Sequence, residues 1–186
     1  MTRKYRVLAI DGALNHSGWV ILDEREKKDG TRQAVGSKYG MIKPNAKMSL
    51  AFKLSFIRQE LIDIIKTYKP DVIVFEDTYA GKNALTNARL NNAKGVFIVT
   101  VYEQTGKDPV YVNAAVARSC LGFGNNKEDP YEFFSELFKM EENFDKGNDI
   151  TDAYTLGFWY ITDERGECEE RTKKKKKKRS TRKHKN

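Results

Sequence analysis

The chain has 186 residues, 39% of them hydrophobic and 32% charged, which suits one domain with a buried core; no apolar run approaches the ~20 residues of a membrane span. The formal net charge of +8 is unevenly held: from Arg171 onward stand eleven Lys and Arg and no acid, so of 34 basic residues 23 remain against 26 acidic ones, a net of −3 for the rest. This excludes polyanion binding by bulk charge of the body, which needs a local basic patch, metal ions or the tail.

In chain order, residues 5–10 read as a buried strand, Asn15-His16-Ser17-Gly18 as a turn, and residues 19–22 as a returning strand. Asp29-Gly30 is a hairpin signal before a third strand over 34–42, so the three form an antiparallel meander. Leu50, Leu54, Ile57, Leu61, Ile64, Ile65 and Tyr68 follow helical spacing up to Pro70. A strand over 71–76 then completes a crossover and should lie parallel to an earlier one. A second helix is expected over 83–103, with Leu85, Ala88, Val96 and Val99 inward, then a short strand at 110–112. Helices over 113–121, 130–140 and 149–162 close the order. The expectation is an α/β domain over residues 1–165, a mixed sheet flanked by helices, and a disordered Lys/Arg-rich tail over 166–186 that cannot bury enough apolar surface to fold. Cys120 and Cys168 lie far apart, in neither a zinc pattern nor a disulfide framework. With no signal peptide evident, a reducing, cytoplasmic setting is expected. Cys120 itself reads as a small buried hydrophobe.

Four acids stand out. Asp11 ends Val7-Leu8-Ala9-Ile10, Glu76 ends Val72-Ile73-Val74-Phe75, and Asp149 and Asp152 open the last expected helix. Carboxylates at the ends of buried strands need compensation, which a divalent cation would supply. Two Mg²⁺ ions held by oxygen ligands can grip both the attacking water and the leaving oxygen of a phosphodiester. Asp149 and Asp152, three residues apart, share a helix face. The same placement serves equally as an N-cap and a first-turn acid favoured by the helix dipole.

These motifs resemble the RuvC family of Holliday-junction resolvases, within the RNase H-like superfamily. The likeness runs through Ala9-Ile10-Asp11-Gly12, Val74-Phe75-Glu76, Tyr79-Ala80-Gly81-Lys82-Asn83 and the segment from Ala88 to Gly95. It continues through Ala114-Ala115-Val116, Gly122-Phe123-Gly124 and Asp149-Ile150-Thr151-Asp152-Ala153, spanning about residues 5 to 162. It departs at Gly12-Ala13, where many members carry Pro-Gly, at Ala117-Arg118, where a lysine is usual, and in the lysine tail; Lys127 could be a second family lysine. The resemblance implies an RNase H-like fold and a Mg²⁺-dependent endodeoxyribonuclease, with Mn²⁺ able to substitute. Its two ions would be held by the catalytic set Asp11, Glu76, Asp149 and Asp152. It further implies paired, symmetric nicks in four-way DNA junctions, 5′-phosphate ends, and a homodimer joined through the helix over 83–103. No membrane and no small-molecule cofactor are expected. The compact form and the tail point to a phage or viral member, acting in the cytoplasm of its host.

Tyr79 matches a family aromatic that stacks on bases at the opened crossover. Lys82, Arg89, Lys94, Arg118 and Lys127 are candidate DNA contacts. His16 reads as an exposed turn residue, because two-metal hydrolysis needs no histidine. The six consecutive lysines read as a nonspecific DNA tether, with nuclear targeting and solubility as rivals. Alternatives to the resolvase are a broad debranching nuclease for forks, flaps and packaging intermediates, an RNase H-like ribonuclease, and a nonenzymatic protein that binds branched DNA.

Overall fold

The computed structural model describes residues 3–77, 84–124, 126–141 and 144–162. Strands β1 (Arg3–Asp11), β2 (Ser17–Glu26) and β3 (Arg32–Ile42) form the expected antiparallel meander, with β2 longer than its apolar stretch. The hairpin between β2 and β3 turns on Gly30 at φ 80°, while the Asp29 carboxylate accepts from the Thr31 N–H at 2.9 Å and its hydroxyl at 2.6 Å. Helix α1 (Leu50–Tyr68) starts where Ser49 Oγ accepts from the Phe52 N–H at 3.3 Å. It stops at left-handed Lys69, just before Pro70. The chain then crosses to β4 (Val72–Glu76), parallel to β1; α2 (Ala84–Thr105) leads to β5 (Val110–Val112), parallel to β4.

The sheet order is β3-β2-β1-β4-β5, so β1 is central. One face packs Leu8, Ile10, Ile21, Ile73 and Phe75 against α1 and α2; the other packs Val7, Ala9, Val20, Leu22 and Val74 against α3 (Ala114–Cys120), α4 (Glu128–Phe138) and α5 (Phe144–Thr162). Both faces are therefore covered, as the mixed-sheet expectation required. On the second face Phe134, Phe138 and Tyr154 stack into an aromatic wedge. No helix among the described residues is long and apolar enough to cross a membrane.

Several expectations need correction. Helix α5 begins at Phe144, so Asp149 lies in its second turn rather than at an N-cap. On α2 the inward residues are Ala93, Phe97, Thr100 and Val101, whereas Ala88 and Val99 face outward; the side chain of Leu85 lies outside the described ones. Leu50, which the helical spacing placed on the apolar face, is exposed. Cys120 is half-buried and disulfide-bonded, which corrects the reading of it as an unpaired buried thiol. The tail over 166–186 lies outside the described residues.

Candidate active site

Strand alternation decides where the acids point. Along β1, Val7 and Ala9 lie on the α5 side of the sheet and Leu8 and Ile10 on the other, so Asp11 falls on the α5 side. Along β4, Val74 lies on the α5 side and Ile73 and Phe75 opposite, so Glu76 falls there too. Ile10 and Phe75 are register partners, which sets Asp11 beside Glu76 at the carboxyl ends of two parallel strands. Above them, α5 contributes Asp149 and Asp152 one turn apart.

The height of α5 is fixed by glycine. A Cβ on Gly18, the register partner of Asp11, would lie 2.2 Å from the Asp149 carbonyl oxygen. Further along, a Cβ on Gly157 would lie 2.9 Å from both Ala9 Cβ and Leu22 Cδ1. Only bare backbone lets the helix settle so close to β1 and β2.

The acids feel one another. Burial, then the charges of Asp152 and Glu76, a hydrogen bond with Glu76 and the charge of Asp149 push the Asp11 carboxyl well above the usual carboxylate range. The shift favours the neutral form of Asp11 beside these acids. Burial also raises Asp149; His16 and Lys127 pull it back, while Asp152 pushes it up. Asp152 is neutralised instead by two cations: its Oδ1 accepts from Arg118 Nη2, and its Oδ2 from Lys127 Nζ at 2.9 Å.

This oxygen-only donor set, crowded, negatively charged and partly dehydrated, fits a hard divalent cation such as Mg²⁺. Among the described residues no three such side chains close around one point, and Asp152 is paired with Arg118 and Lys127. Two basic side chains, Arg118 and Lys127, offset part of the charge of the cluster.

The candidate DNA contacts separate into groups. Arg118 and Lys127 stand at the acids. Lys94 is committed to Asp77 at 3.5 Å and sits 4.8 Å over the Tyr111 ring, beside a small pocket shared with Gly12 and Glu76. Arg89 is exposed on α2. Tyr79 and Lys82 lie outside the described residues. His16 is exposed, as the sequence reading had it, and its turn lies against α5. Gly18, two residues on, admits the helix because it carries no side chain.

Comparison with known proteins bears on the family and the fold. The family model described as crossover junction endodeoxyribonuclease RuvC matches residues 7–158. RuvC of Caldicellulosiruptor saccharolyticus is 29% identical over 157 residues, covering 84% of this chain and 92% of the relative. RuvC of Rhizobium rhizogenes is 26% identical over 156 residues, covering 84% and 88%. Among solved structures, Thermus thermophilus RuvC in complex with a Holliday junction superposes with a TM-score of 0.67 at 12% identity over 83% of this chain and 92% of that one. The yeast mitochondrial Holliday junction resolvase Ydc2 gives 0.54 at 14% identity over 84% and 78%. At such identities these structures speak for the fold alone. The family match begins in β1 and ends in α5, taking in every element that carries one of the four acids, and on that ground this chain belongs to the RuvC family of crossover junction endodeoxyribonucleases.

Proposed function

We propose that this family member resolves four-way DNA junctions with divalent metal, nicking two strands at symmetric positions and leaving 5′-phosphate and 3′-hydroxyl ends. The carrying observation is that Asp11 and Glu76 end neighbouring parallel strands and that Asp11 feels the charges of Glu76, Asp149 and Asp152. Those four side chains would hold two Mg²⁺ ions, or Mn²⁺ in their place. Bound there, such ions supply Lewis-acid stabilisation of the attacking and leaving oxygens. The chain's own part is to position and to compensate. Arg118 and Lys127 are the cations nearest the acids and suit the non-bridging oxygens of the reacting phosphate. Tyr79 would stack on a base at the crossover, and Lys82 and Lys94 would add phosphate contacts.

Two symmetric nicks require two sites related by a dyad, which a homodimer provides. Supporting this, Val99 and Tyr102 on the outer face of α2 are 55% and 58% exposed. The lysine tail would tether the acidic body to DNA without reading its shape. A phage or viral source rests on the tail and the Gly12-Ala13 departure, not on the relatives, which are bacterial.

The test is a panel of labelled four-way junction, Y-fork, flap, linear duplex and RNA hybrid, each with Mg²⁺ or EDTA. The junction should be cut at paired positions in Mg²⁺ only, and Asp11→Asn, Glu76→Gln and Asp152→Asn should bind it without cutting. Cleavage by Asp11→Asn at the wild-type rate would sink the site assignment. Equal cutting of forks and flaps by a strict monomer would favour the debranching reading.

A further inference from the structure

We infer that the cleft between the β1–β2 turn and α2 is a second DNA-backbone site, in which His16 and Arg89 grip a phosphodiester neighbouring the scissile one. The inference rests on the nuclease reading above and extends it to residues that need not touch the reacting phosphate.

The cleft has a volume of about 390 Å³ and is lined by Ala13, Leu14, Asn15, His16, Arg89, Leu90 and Asp149. Because Asp149 forms part of its wall, the cleft opens directly beside the four acids. A strand with its phosphate at those acids would carry the adjacent phosphate roughly 6–7 Å away along a stacked or extended backbone, within reach of a side chain across such a cleft.

The charge at the rim suits that occupant. His16 and Arg89 are both exposed, and neither forms an ion pair with a described residue. Lys53 of α1 adds a third cation, its Nζ donating to Asn15 Oδ1 at 2.8 Å. His16 and Arg89 therefore line one cleft, with Lys53 bonded to its wall residue Asn15, on a body whose net charge is negative. A concave wall with fixed donors and a nearby acid cluster fits a polyanion held by metal at one phosphate and by side chains at the next.

The turn is also pre-organised. Buried Ser17 closes it, its Oγ accepting from the Ala13 N–H at 2.9 Å and donating to the Ala13 carbonyl at 2.7 Å. Gly18 then packs against the backbone of Asp149. His16 is thus fixed relative to the acids through two residues of backbone, which lowers the cost of ordering it on DNA. Its role is positioning, since a histidine spent on a flanking phosphate is not a general base.

The experiment uses full-length protein carrying Asp11→Asn, so that binding is read without cleavage, and junctions with a neutral methylphosphonate at each phosphate flanking the scissile one in turn. On the ordinary junction, His16→Ala and Arg89→Ala should each weaken binding about ten-fold, as expected when one charge-assisted hydrogen bond is removed. Arg89→Ala should also make the salt dependence shallower, by the increment that one neutralised phosphate contributes. At one flanking position the methylphosphonate should weaken the parent by a similar factor, and there the two substitutions should cost no more than about two-fold. Circular dichroism melts of both variants should match the parent, since both side chains are exposed. Normal affinity in both variants, or losses that persist undiminished at both methylphosphonate positions, would overturn the inference. Failure of the nuclease reading looks different: protein with Asp11 intact would bind junctions and leave them uncut in Mg²⁺.

Discussion

Replacing Gly18 by Ala asks whether the site depends on how closely α5 approaches the sheet. The new methyl carbon would lie 2.2 Å from the Asp149 carbonyl oxygen, 2.3 Å from its carbon and 2.6 Å from the Ile150 nitrogen. Real Cβ contacts essentially never fall below 3.0 Å, so helix and strand must part by at least about 0.8 Å. What must move is helical backbone, which cannot swing aside as a side chain can, and it carries Asp149 directly and Asp152 one turn later. A misplacement near 1 Å in a positioned site costs on the order of 10²-fold in rate. Forcing a methyl into a packed interior costs about 1–3 kcal/mol of stability, or roughly 2–12 °C of melting temperature for a domain of this size. The assay is single-turnover cleavage of a four-way junction in Mg²⁺, beside thermal melting and metal-free junction binding. Gly157→Ala is the contrast: its methyl would meet Ala9 Cβ and Leu22 Cδ1 at 2.9 Å, only about 0.1 Å inside the 3.0 Å limit and two turns beyond Asp149, so the helix need barely shift and the rate should change little. A Gly18→Ala enzyme that cleaves at the wild-type rate would refute the claim that this close approach sets the acids.

Asp11→Asn should abolish cleavage yet raise the melting temperature of the metal-free protein at neutral pH. The folded-state pKa of Asp11 lies above the unfolded value, so its burial costs stability increasingly as pH rises from the ordinary carboxyl range through the raised value; the gap in melting temperature should widen with pH, and a variant that melts lower at pH 8 would contradict this. Mg²⁺ at a hundred times its dissociation constant should stabilise the wild type by about 2.7 kcal/mol and Asp11→Asn far less, read by the same melts. Tyr102→Glu with Val99→Asp should shift sedimentation from about twice the 21.4 kDa chain mass toward the single chain, and should turn paired nicks into unpaired ones. Truncation before Arg171 removes eleven positive charges; it should weaken binding to all DNA and flatten its salt dependence by about 0.9 for each duplex phosphate the tail no longer neutralises, while turnover at saturating junction stays unchanged.

The acids at the strand ends were legible because apolar runs ending in Asp11 and Glu76 mark buried parallel strands, and strand pairing then leaves little freedom in where their ends meet. The capped, strongly periodic α1 was equally legible, matching from Leu50 to Tyr68. Helix α2 was found but rotated in the reading. Its apolar residues fall all round the helix, so periodicity could not choose between a face through Val99 and the buried one through Ala93, Phe97 and Val101. The start of α5 was set too late because Gly147-Asn148-Asp149 looks like a helix beginning; the packing of Ile150, Ala153 and Tyr154 on the sheet outweighs those weak local preferences. The surroundings of His16 and Lys53 were not legible at all, since they depend on how the β1–β2 turn sits against helices distant in sequence.

The path of the chain also bears on when the protein can become dangerous to DNA. Asp11 leaves the ribosome well ahead of Asp149, which follows 138 positions later, the difference of their numbers. At about 5–20 residues per second that interval is roughly 7–28 s of synthesis. The meander of β1, β2 and β3 needs only local pairing and can form early, but half of the acid set stays unmade until α5 emerges and lies down across it. On the proposed four-acid site, a nascent chain should be incapable of cutting until then, and so should any fragment stalled or clipped before α5. Competence arrives only with that helix, a safeguard written into the order of the elements rather than into any inhibitor.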